Sequence, residues 1–367
     1  MTAIERGRTL LLAAIVTCTG ALPCLSRQTK TDELIWPRLL ERANLEIRWQ
    51  HDLPLVKSES LNRLFLIEDR LYALTSQNYL FSLNRNSGGM VFGTSLAAPG
   101  LVVPGFRLYD DGLIAAIGNE LVEIDPNTGQ RMLSRGVDFG LSCLPAGNTS
   151  FFYIPGADGR IRVIRRSDVV KLFEVAAPSR SSITSVIASD DLVVFSTTAG
   201  EVVAIAPDSP KRLWQFNAGG RIIGPLVRDG RMILAASEDT YVYNLDAKPA
   251  TRPIWKHQTA AILNKAPRVT RQYVYQYVNT KGLTAIDKVA GTLVWQVPDG
   301  LDILAEAPGK AYVFKEKGEL VVMDSLAGKK LYSVNVTPAS LYAANLTDSK
   351  IYLADKKGRV VCLRPTR

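Results

Sequence analysis

The stretch Ala285-Ile-Asp-Lys-Val-Ala-Gly-Thr-Leu-Val-Trp295 decides the fold, because degraded copies of it recur about every 40 residues along the chain. The apolar residue just before the aspartate anchors each copy, and the successive anchors are Leu83, Ile124, Ile164, Ile205, Leu245, Ile286, Met323 and Leu363. A period of this length, with about four short strands per unit, is typical of a β-propeller. The chain is therefore predicted to be all-β, an eight-bladed propeller of four-stranded antiparallel blades.

A large side chain follows each anchor by nine residues, or by ten in one copy: Phe92, Leu133, Phe173, Trp214, Trp255, Trp295 and Tyr332. We expect these side chains to fill the grooves between adjacent blades. The last anchor, Leu363, lies too close to the C-terminus to have such a partner. Trp49, in the strand-like segment 45–50 at the other end of the chain, can supply it. An N-terminal strand is therefore predicted to complete the last blade and close the ring.

The motif also has a local explanation as a turn between two strands. The Asp287 side chain can accept hydrogen bonds from backbone amides, and Gly291 can adopt a left-handed conformation. Further turn formers separate paired β-rich runs, as expected of hairpins: Gly118-Asn119, Asp158-Gly159, Ala199-Gly200, Lys317-Gly318 and Lys356-Lys-Gly-Arg359. Helical periodicity is weak outside residues 37–44.

The pattern Ala-x-Asp-x-x-x-Gly-x-x-x-Trp, matched at Ala285, Asp287, Gly291 and Trp295, resembles the tryptophan-docking repeat of pyrroloquinoline-quinone (PQQ)-like propellers. That superfamily includes quinoprotein dehydrogenases and the BamB branch of outer-membrane assembly lipoproteins, both eight-bladed. The resemblance covers about residues 45–367 and implies the fold more strongly than any function. Other copies depart from the pattern, as where Pro210 replaces the glycine.

Three segments are predicted: an export signal over residues 1–26, a linker or short helix over 27–44, and the propeller over 45–367. Arg6 and Arg8 precede a short apolar run, and small residues follow it, as in a cleavable signal. We expect the mature protein in the periplasm or cell envelope. Lipidation at Cys18 or Cys24 remains an alternative, although neither cysteine follows the small residue that a lipidated one usually has.

The same resemblance implies, for a quinoprotein, a quinone over the central channel, a stacking tryptophan, bound calcium, a catalytic aspartate and often adjacent cysteines. This chain has no adjacent cysteines, and four of its five tryptophans occupy docking positions. His51 and His257 each follow a docking tryptophan by two residues, which favours equivalent strand ends over a metal pair. We therefore predict no catalytic residues, no metal and no cofactor, with PQQ plus calcium as the alternative.

Three further groups of residues have structural interpretations. Cys143 and Cys362 fall in separate blades and are expected to be free thiols. The pairs Asp110-Asp111 and Asp190-Asp191 precede strands and are expected to be turn residues.

The chain is basic, with a formal net charge of +9, and its cations form two clusters. These are Arg160, Arg162, Arg165 and Arg166 in the third repeat, and Lys329, Lys330, Lys350, Lys356, Lys357 and Arg359 in the last two. Such clusters suit anionic lipid headgroups, acidic glycans or an acidic partner, or are a solvated face. They lack the interleaved aromatic residues of a nucleic-acid platform, so no nucleic acid is expected.

The sequence thus favours an exported, non-enzymatic, monomeric ring that binds protein partners of the cell envelope through its interblade loops. By resemblance to the BamB branch, outer-membrane protein assembly is the leading specific role. Two alternatives stay open: a PQQ-dependent oxidoreductase or degenerate quinoprotein, and a cell-wall or carbohydrate-binding module. Membrane association also stays open.

Overall fold

The computed structural model describes residues 33–109, 112–248 and 252–366 of the chain. The predicted signal segment, with Cys18 and Cys24, lies outside the described residues, as do Asp110 and Asp111. None of the helical segments in the described ranges is long and apolar enough to cross a membrane.

The described residues begin with one short helix, α1 (Pro37–Glu41), and strand β1 (Leu45–Asp52). Four-stranded antiparallel sheets follow, each numbered here as a blade. Blade 1 consists of β2 (Leu61–Ile67), β3 (Arg70–Thr75), β4 (Tyr79–Asn84) and β5 (Met90–Ser95). Blade 2 consists of β6 (Phe106–Tyr109), β7 (Gly112–Ile117), β8 (Glu120–Ile124) and β9 (Arg131–Gly136). Blade 3 consists of β10 (Ala146–Gly147), β11 (Phe151–Pro155), β12 (Arg160–Arg165) and β13 (Lys171–Ala176). Blade 4 consists of β14 (Ile183–Ala188), β15 (Val193–Thr197), β16 (Glu201–Ile205) and β17 (Arg212–Asn217).

The second half of the ring repeats this arrangement. Blade 5 consists of β18 (Val227–Asp229), β19 (Met232–Ala236), β20 (Tyr241–Asp246) and β21 (Trp255–Gln258). Blade 6 consists of β22 (Arg268–Val269), β23 (Tyr273–Val278), β24 (Gly282–Asp287) and β25 (Leu293–Val297). Blade 7 consists of β26 (Gly300–Ala307), β27 (Lys310–Lys315), β28 (Glu319–Asp324) and β29 (Lys330–Asn335). Blade 8 takes β30 (Leu341–Ala343), β31 (Ile351–Ala354) and β32 (Arg359–Pro365) from the C-terminus and β1 as its outermost strand. The predicted eight-bladed fold and its closure by an N-terminal strand are confirmed.

In blades 1, 2, 6 and 7 the turn before the outermost strand has the geometry expected from the motif. The Asp287 carboxylate accepts hydrogen bonds from the backbone N–H groups of Val289 and Ala290, at 2.9 and 2.7 Å, and Gly291 has φ +71°. Asp324 caps its turn in the same way, with Gly328 at φ +63°. These side-chain caps satisfy backbone donors that the strand ladder leaves unpaired.

A β-bulge recurs where the third and fourth strands of most blades pair. In blade 6, Ala285 lies opposite Trp295 but Ile286 lies opposite Leu293, so one extra residue is accommodated before the tryptophan. Equivalent shifts occur in blades 1, 2, 3, 4 and 7 and between β1 and β32. A bulge bends the strand and re-aims its side chains. Here it turns the docking residue toward the neighbouring blade, and several residues just before it are exposed: Val91, Met132, Leu172, Leu213 and Leu331.

The two ends of the ring differ in how their connections are built. One end carries the loops that join successive blades, and backbone hydrogen bonds tie these loops to hairpin turns, as in Ala177 N–H to Gly159 C=O and Ala218 N–H to Gly200 C=O. We call this end the loop face. The other end carries the capped turns and the turns after the innermost strands, and we call it the turn face.

The segment before β1 is packed into the ring closure. Leu34, Ile35, Leu40 and Ala43 are at most 2% exposed and belong to one apolar cluster with residues of blades 7 and 8, including Leu304 and Val336. Leu34 N–H also donates to Gln50 Oε1 at 2.8 Å. The outermost strand of blade 8, β1, is not joined to β32 by a turn, because the two strands come from opposite ends of the chain. The segment before β1 covers the joint between blades 7 and 8.

Candidate functional site

The predicted docking tryptophans lie between blades, each on the turn of the next blade. Trp295 is 5% exposed, and its indole Nε1 donates to Ser325 C=O at 3.0 Å. A Cβ added at Gly328 would lie 2.6 Å from Trp295 Cβ. The same donor geometry recurs from Trp49 to Arg85 C=O, from Trp214 to Ala247 C=O and from Trp255 to Lys288 C=O.

The remaining docking positions use other side chains. Phe92 packs under Gly129 much as the tryptophans do, while Phe173 is half-buried. Leu133 shares a small apolar cluster with Val169, which occupies the glycine position of blade 3 at φ +58°. Tyr332 packs against the cluster that contains the N-terminal segment. These residues form the joints of the ring; Ala285 and Asp287 belong to the core and the turn of blade 6.

Cationic ties between blades were missed by the sequence analysis. They come from the position two residues after the anchor of the repeat: Arg85 pairs with Asp348 of blade 8 at 3.0 Å, and Arg166 with Glu123 of blade 2 at 3.8 Å. Lys288 pairs with Asp229 of blade 5. A basic residue at a fixed register position was the available signal. Asp229 and Asp348 also share a position, three residues before the second strand of their blades, whereas Glu123 lies on the third strand of blade 2.

Many cations of the predicted basic clusters form ion pairs with carboxylates. Arg160 pairs with Glu174, Arg162 binds both oxygens of Asp158, and Arg165 pairs with Asp168, so the third-repeat cluster is largely neutralised within its own blade. In the last repeats Lys330 pairs with Glu319, Lys350 with Asp348 and Arg359 with Asp355. The exposed pairs among these, such as Arg165–Asp168 and Lys330–Glu319, contribute little to stability, whereas the Asp355 carboxylate is buried.

The other candidate residues lie apart from one another. His51 is on β1 of blade 8, and His257 on β21 of blade 5, where its Nδ1 lies 2.9 Å from Gly291 C=O. Cys143 and Cys362 are free, and burial raises their pKa values to about 11 and about 12. In the pair Asp190-Asp191, Asp190 accepts from Thr149 and Asp191 pairs with Arg228 at 3.1 Å.

The loop face carries exposed apolar side chains on several interblade loops. Val56 is 63% exposed, Val102 76%, Leu101 45% and Ile262 49%. Leu101 and Val102 are neighbours on the loop from blade 1 to blade 2. They line a cavity of about 430 Å³ together with Leu141 and Cys143. Adjacent exposed apolar residues over a cavity are a feature of interaction surfaces.

A second cavity, of about 610 Å³ and with a lining that is about equally polar and apolar, opens at the loop-face end of the central channel. The innermost strands of blades 1, 6, 7 and 8 contribute Arg63, Arg268, Asp302 and Tyr342 to its lining, and the loop from blade 5 to blade 6 contributes Lys265. Arg268 binds both carboxylate oxygens of Asp302, at 3.2 and 2.9 Å. Burial raises the pKa of Tyr342 to about 12, with the Asp302 charge adding to the effect, so the phenol is neutral at neutral pH.

The donor set of this channel does not fit a calcium-held quinone. Calcium requires six to eight oxygen ligands, commonly from several carboxylates. The nearby carboxylates are already engaged, Asp302 by Arg268 and Glu306 by the Tyr275 hydroxyl. Within the described ranges, no three His, Cys, Asp or Glu side chains are grouped so as to hold a metal ion.

Comparison with known proteins gives the family. The sequence profile described as "Outer membrane protein assembly factor BamB" matches residues 30–218, 157–261 and 199–367, which together cover most of the chain. The chain belongs to this BamB family.

Solved structures agree with the fold. BamB from Moraxella catarrhalis is similar with a TM-score of 0.66 and 14% identity, over 87% of this chain and 97% of that one. The computationally designed Ika8 protein is similar with a TM-score of 0.67 and 14% identity, over 85% and 98%. No curated protein sequence matches significantly. At this identity the structural likeness shows the fold alone, and the family assignment rests on the profile.

Proposed function

We propose that this BamB-family propeller is a non-enzymatic scaffold of the cell envelope that docks protein partners through its loop face. The observation that carries the proposal is the exposed pair Leu101 and Val102, over a partly apolar cavity, on a loop anchored to a rigid ring. Loops held by a stiff scaffold are common sites of recognition. The family description supports a role in outer-membrane protein assembly.

The loop is held in place by the innermost strand of blade 1 and by the hairpin turn between β3 and β4. Arg63 Nη1 donates to Val103 C=O at 3.2 Å and to Pro104 C=O at 2.9 Å, and Asn78 Nδ2 donates to Ala98 and Leu101 carbonyls, each at 2.9 Å. The exposed side chains are therefore presented by a backbone with fixed hydrogen bonds. A preorganised surface loses less entropy when a partner binds.

The docking test is a co-purification from envelope membranes with identification of outer-membrane assembly components. The wild type is expected to retain them and the double variant Leu101→Asp/Val102→Asp to lose them. Val289→Asp is the matched control, because Val289 is 86% exposed but lies on the turn face. If Val289→Asp loses the assembly components and the double variant retains them, the docking surface lies on the turn face. If the wild type retains no assembly component, the assembly role is refuted.

The proposal also makes the protein a monomeric ring that needs no cofactor and acts in the periplasm after signal cleavage. Purified protein mixed with PQQ and calcium is expected to show neither a bound-quinone absorbance nor dye-linked alcohol oxidation. Either signal would favour a quinoprotein instead. N-terminal sequencing and mass spectrometry of the exported protein would distinguish cleavage near Ala21 from lipidation at Cys18 or Cys24.

A further inference from the structure

The cavity at the loop-face end of the channel contains two cations without an acidic partner. Arg63 and Lys265 both line it, and among the described residues neither has a carboxylate within ion-pair distance. Arg268 in the same cavity is different, because Asp302 neutralises it through two hydrogen bonds. The cavity therefore holds an excess of positive charge.

Both cations are held in place by contacts that leave their charge uncompensated. The Arg63 guanidinium lies over the Phe65 ring, 4.6 Å from its centre, while Nη1 bonds two loop carbonyls. The Lys265 ammonium lies 3.8 Å from the centre of the Tyr277 ring. Cation–π contacts fix the position of a charge and leave its remaining N–H donors available to a ligand.

The cavity also has room and polar groups for a ligand body. Its volume of about 610 Å³ falls within the usual range for small-molecule sites. The exposed amides of Asn62 and Asn264 lie at its edge, and the Tyr277 and Tyr342 rings supply apolar wall.

We propose that this cavity binds a ligand with two carboxylates, one at Arg63 and one at Lys265. Arg63 offers its free guanidinium edge to a planar carboxylate, and Lys265 acts as a point charge. The Arg268–Asp302 pair closes one side of the site without adding net charge. The two carboxylates come either from a free small dicarboxylic acid or from acidic side chains of a peptide segment. The site shares Arg63 with the support of the docking loop, but its test uses purified protein and defined probes, so the two proposals can fail separately.

Calorimetric titration at low ionic strength tests the site with glutarate and with the peptide acetyl-Glu-Gly-Glu-amide. At least one probe is expected to bind saturably, and uncharged glutaramide is not. Arg63→Gln and Lys265→Met are each expected to weaken binding about tenfold or more. Lys317→Met, an exposed lysine on a loop-face hairpin turn, is the charge-matched control and is expected to bind like the wild type.

Each outcome decides the proposal. Binding of glutarate favours a free dicarboxylate, and preference for the peptide favours an acidic segment. Failure of both probes up to about 10 mM overturns the site, as does equal binding by the wild type and both cavity variants. Because Arg63 also holds loop carbonyls, its substitution could loosen the fold. Lys265→Met avoids that contact, and a melting curve for each variant verifies folding.

Discussion

The joint between blades 6 and 7 and the joint between blades 2 and 3 fill equivalent grooves by different means. In the first, Trp295 is 5% exposed, lies on Gly328 and donates to Ser325 C=O. In the second, the half-buried Leu133 meets Val169, a β-branched residue held at φ +58°. A left-handed conformation costs such a residue about 1–2 kcal/mol.

The second joint also contains a largely buried cation and a carboxylate from the two blades. Arg166 reaches back from blade 3 to Glu123 of blade 2, donates to Asn148 C=O at 3.0 Å, and lies over the Phe152 ring at 4.9 Å. The Glu123 and Arg166 side chains are each only 16% exposed. The repeat therefore specifies where a joint lies. A charge pair accompanies the docking tryptophan at the joints of Trp49 and Trp255, and it accompanies a leucine at this joint.

The largest expected effect separates the two joints directly. Trp295→Ala is expected to lower the free energy of unfolding by about 3–5 kcal/mol, because it empties a filled groove and leaves Ser325 C=O without its donor. Leu133→Ala is expected to cost less than half of this, since that side chain is already partly exposed. Denaturant unfolding of both variants measures the difference. Equal losses would show that the two joints contribute alike.

A second comparison isolates the glycine under the indole. Gly328→Ala is expected to cost about 2–4 kcal/mol, from a left-handed Ala plus a Cβ that collides with Trp295. Gly309→Ala is the matched control on the same blade, because Gly309 has φ +72° but nothing within 4 Å of an added Cβ. The control should cost about 1 kcal/mol. If the two substitutions lower the free energy of unfolding equally, the backbone conformation alone accounts for the loss at Gly328.

A third experiment converts the weak joint into the strong type. Leu133→Trp alone is expected to destabilise, because Val169 occupies the space that a glycine leaves open at other joints. Adding Val169→Gly removes both the obstruction and the backbone strain, so the double variant should recover with a favourable coupling of about 1–2 kcal/mol. A double-mutant cycle in denaturant measures this coupling. Strict additivity would mean that the two positions do not form a joint equivalent to that of Trp295 and Gly328.

Repetition made the fold predictable from the sequence. Eight anchors at nearly constant spacing predict eight blades, and the missing partner of Leu363 predicts the closure by the strand that contains Trp49. The capped turn was predictable as well, because the hydrogen bonds of Asp287 and the left-handed conformation of Gly291 involve only residues of the turn itself.

The candidate sites were not predictable, because they depend on residues outside the repeat register. Leu34 and Ile35 lie before the first repeat, yet they are buried in the ring closure. The channel cavity draws residues from four blades and three interblade loops, and none of them stands out in its own segment of sequence. Arg166 was grouped with its basic neighbours in sequence, but unlike them it lies between blades, because its acidic partner is 43 positions away on blade 2.

The smallest expected effect is a pH dependence at the inner end of the joint between blades 6 and 7. Glu306 of blade 7 accepts a hydrogen bond from Tyr275 of blade 6, and burial raises the pKa of Glu306 above its usual value. The folded state therefore holds the Glu306 proton more tightly than the unfolded state.

This difference in proton binding stabilises the fold at acid pH, and the stabilisation is lost as the pH rises through the raised pKa of Glu306. Relative to Glu306→Gln, the wild type is expected to lose a little stability as the pH rises above the ordinary glutamate pKa of about 4.3. Glu316→Gln, an exposed change on the same blade, should follow the wild type in denaturant unfolding across this range. Parallel curves for the wild type and Glu306→Gln would contradict the assignment.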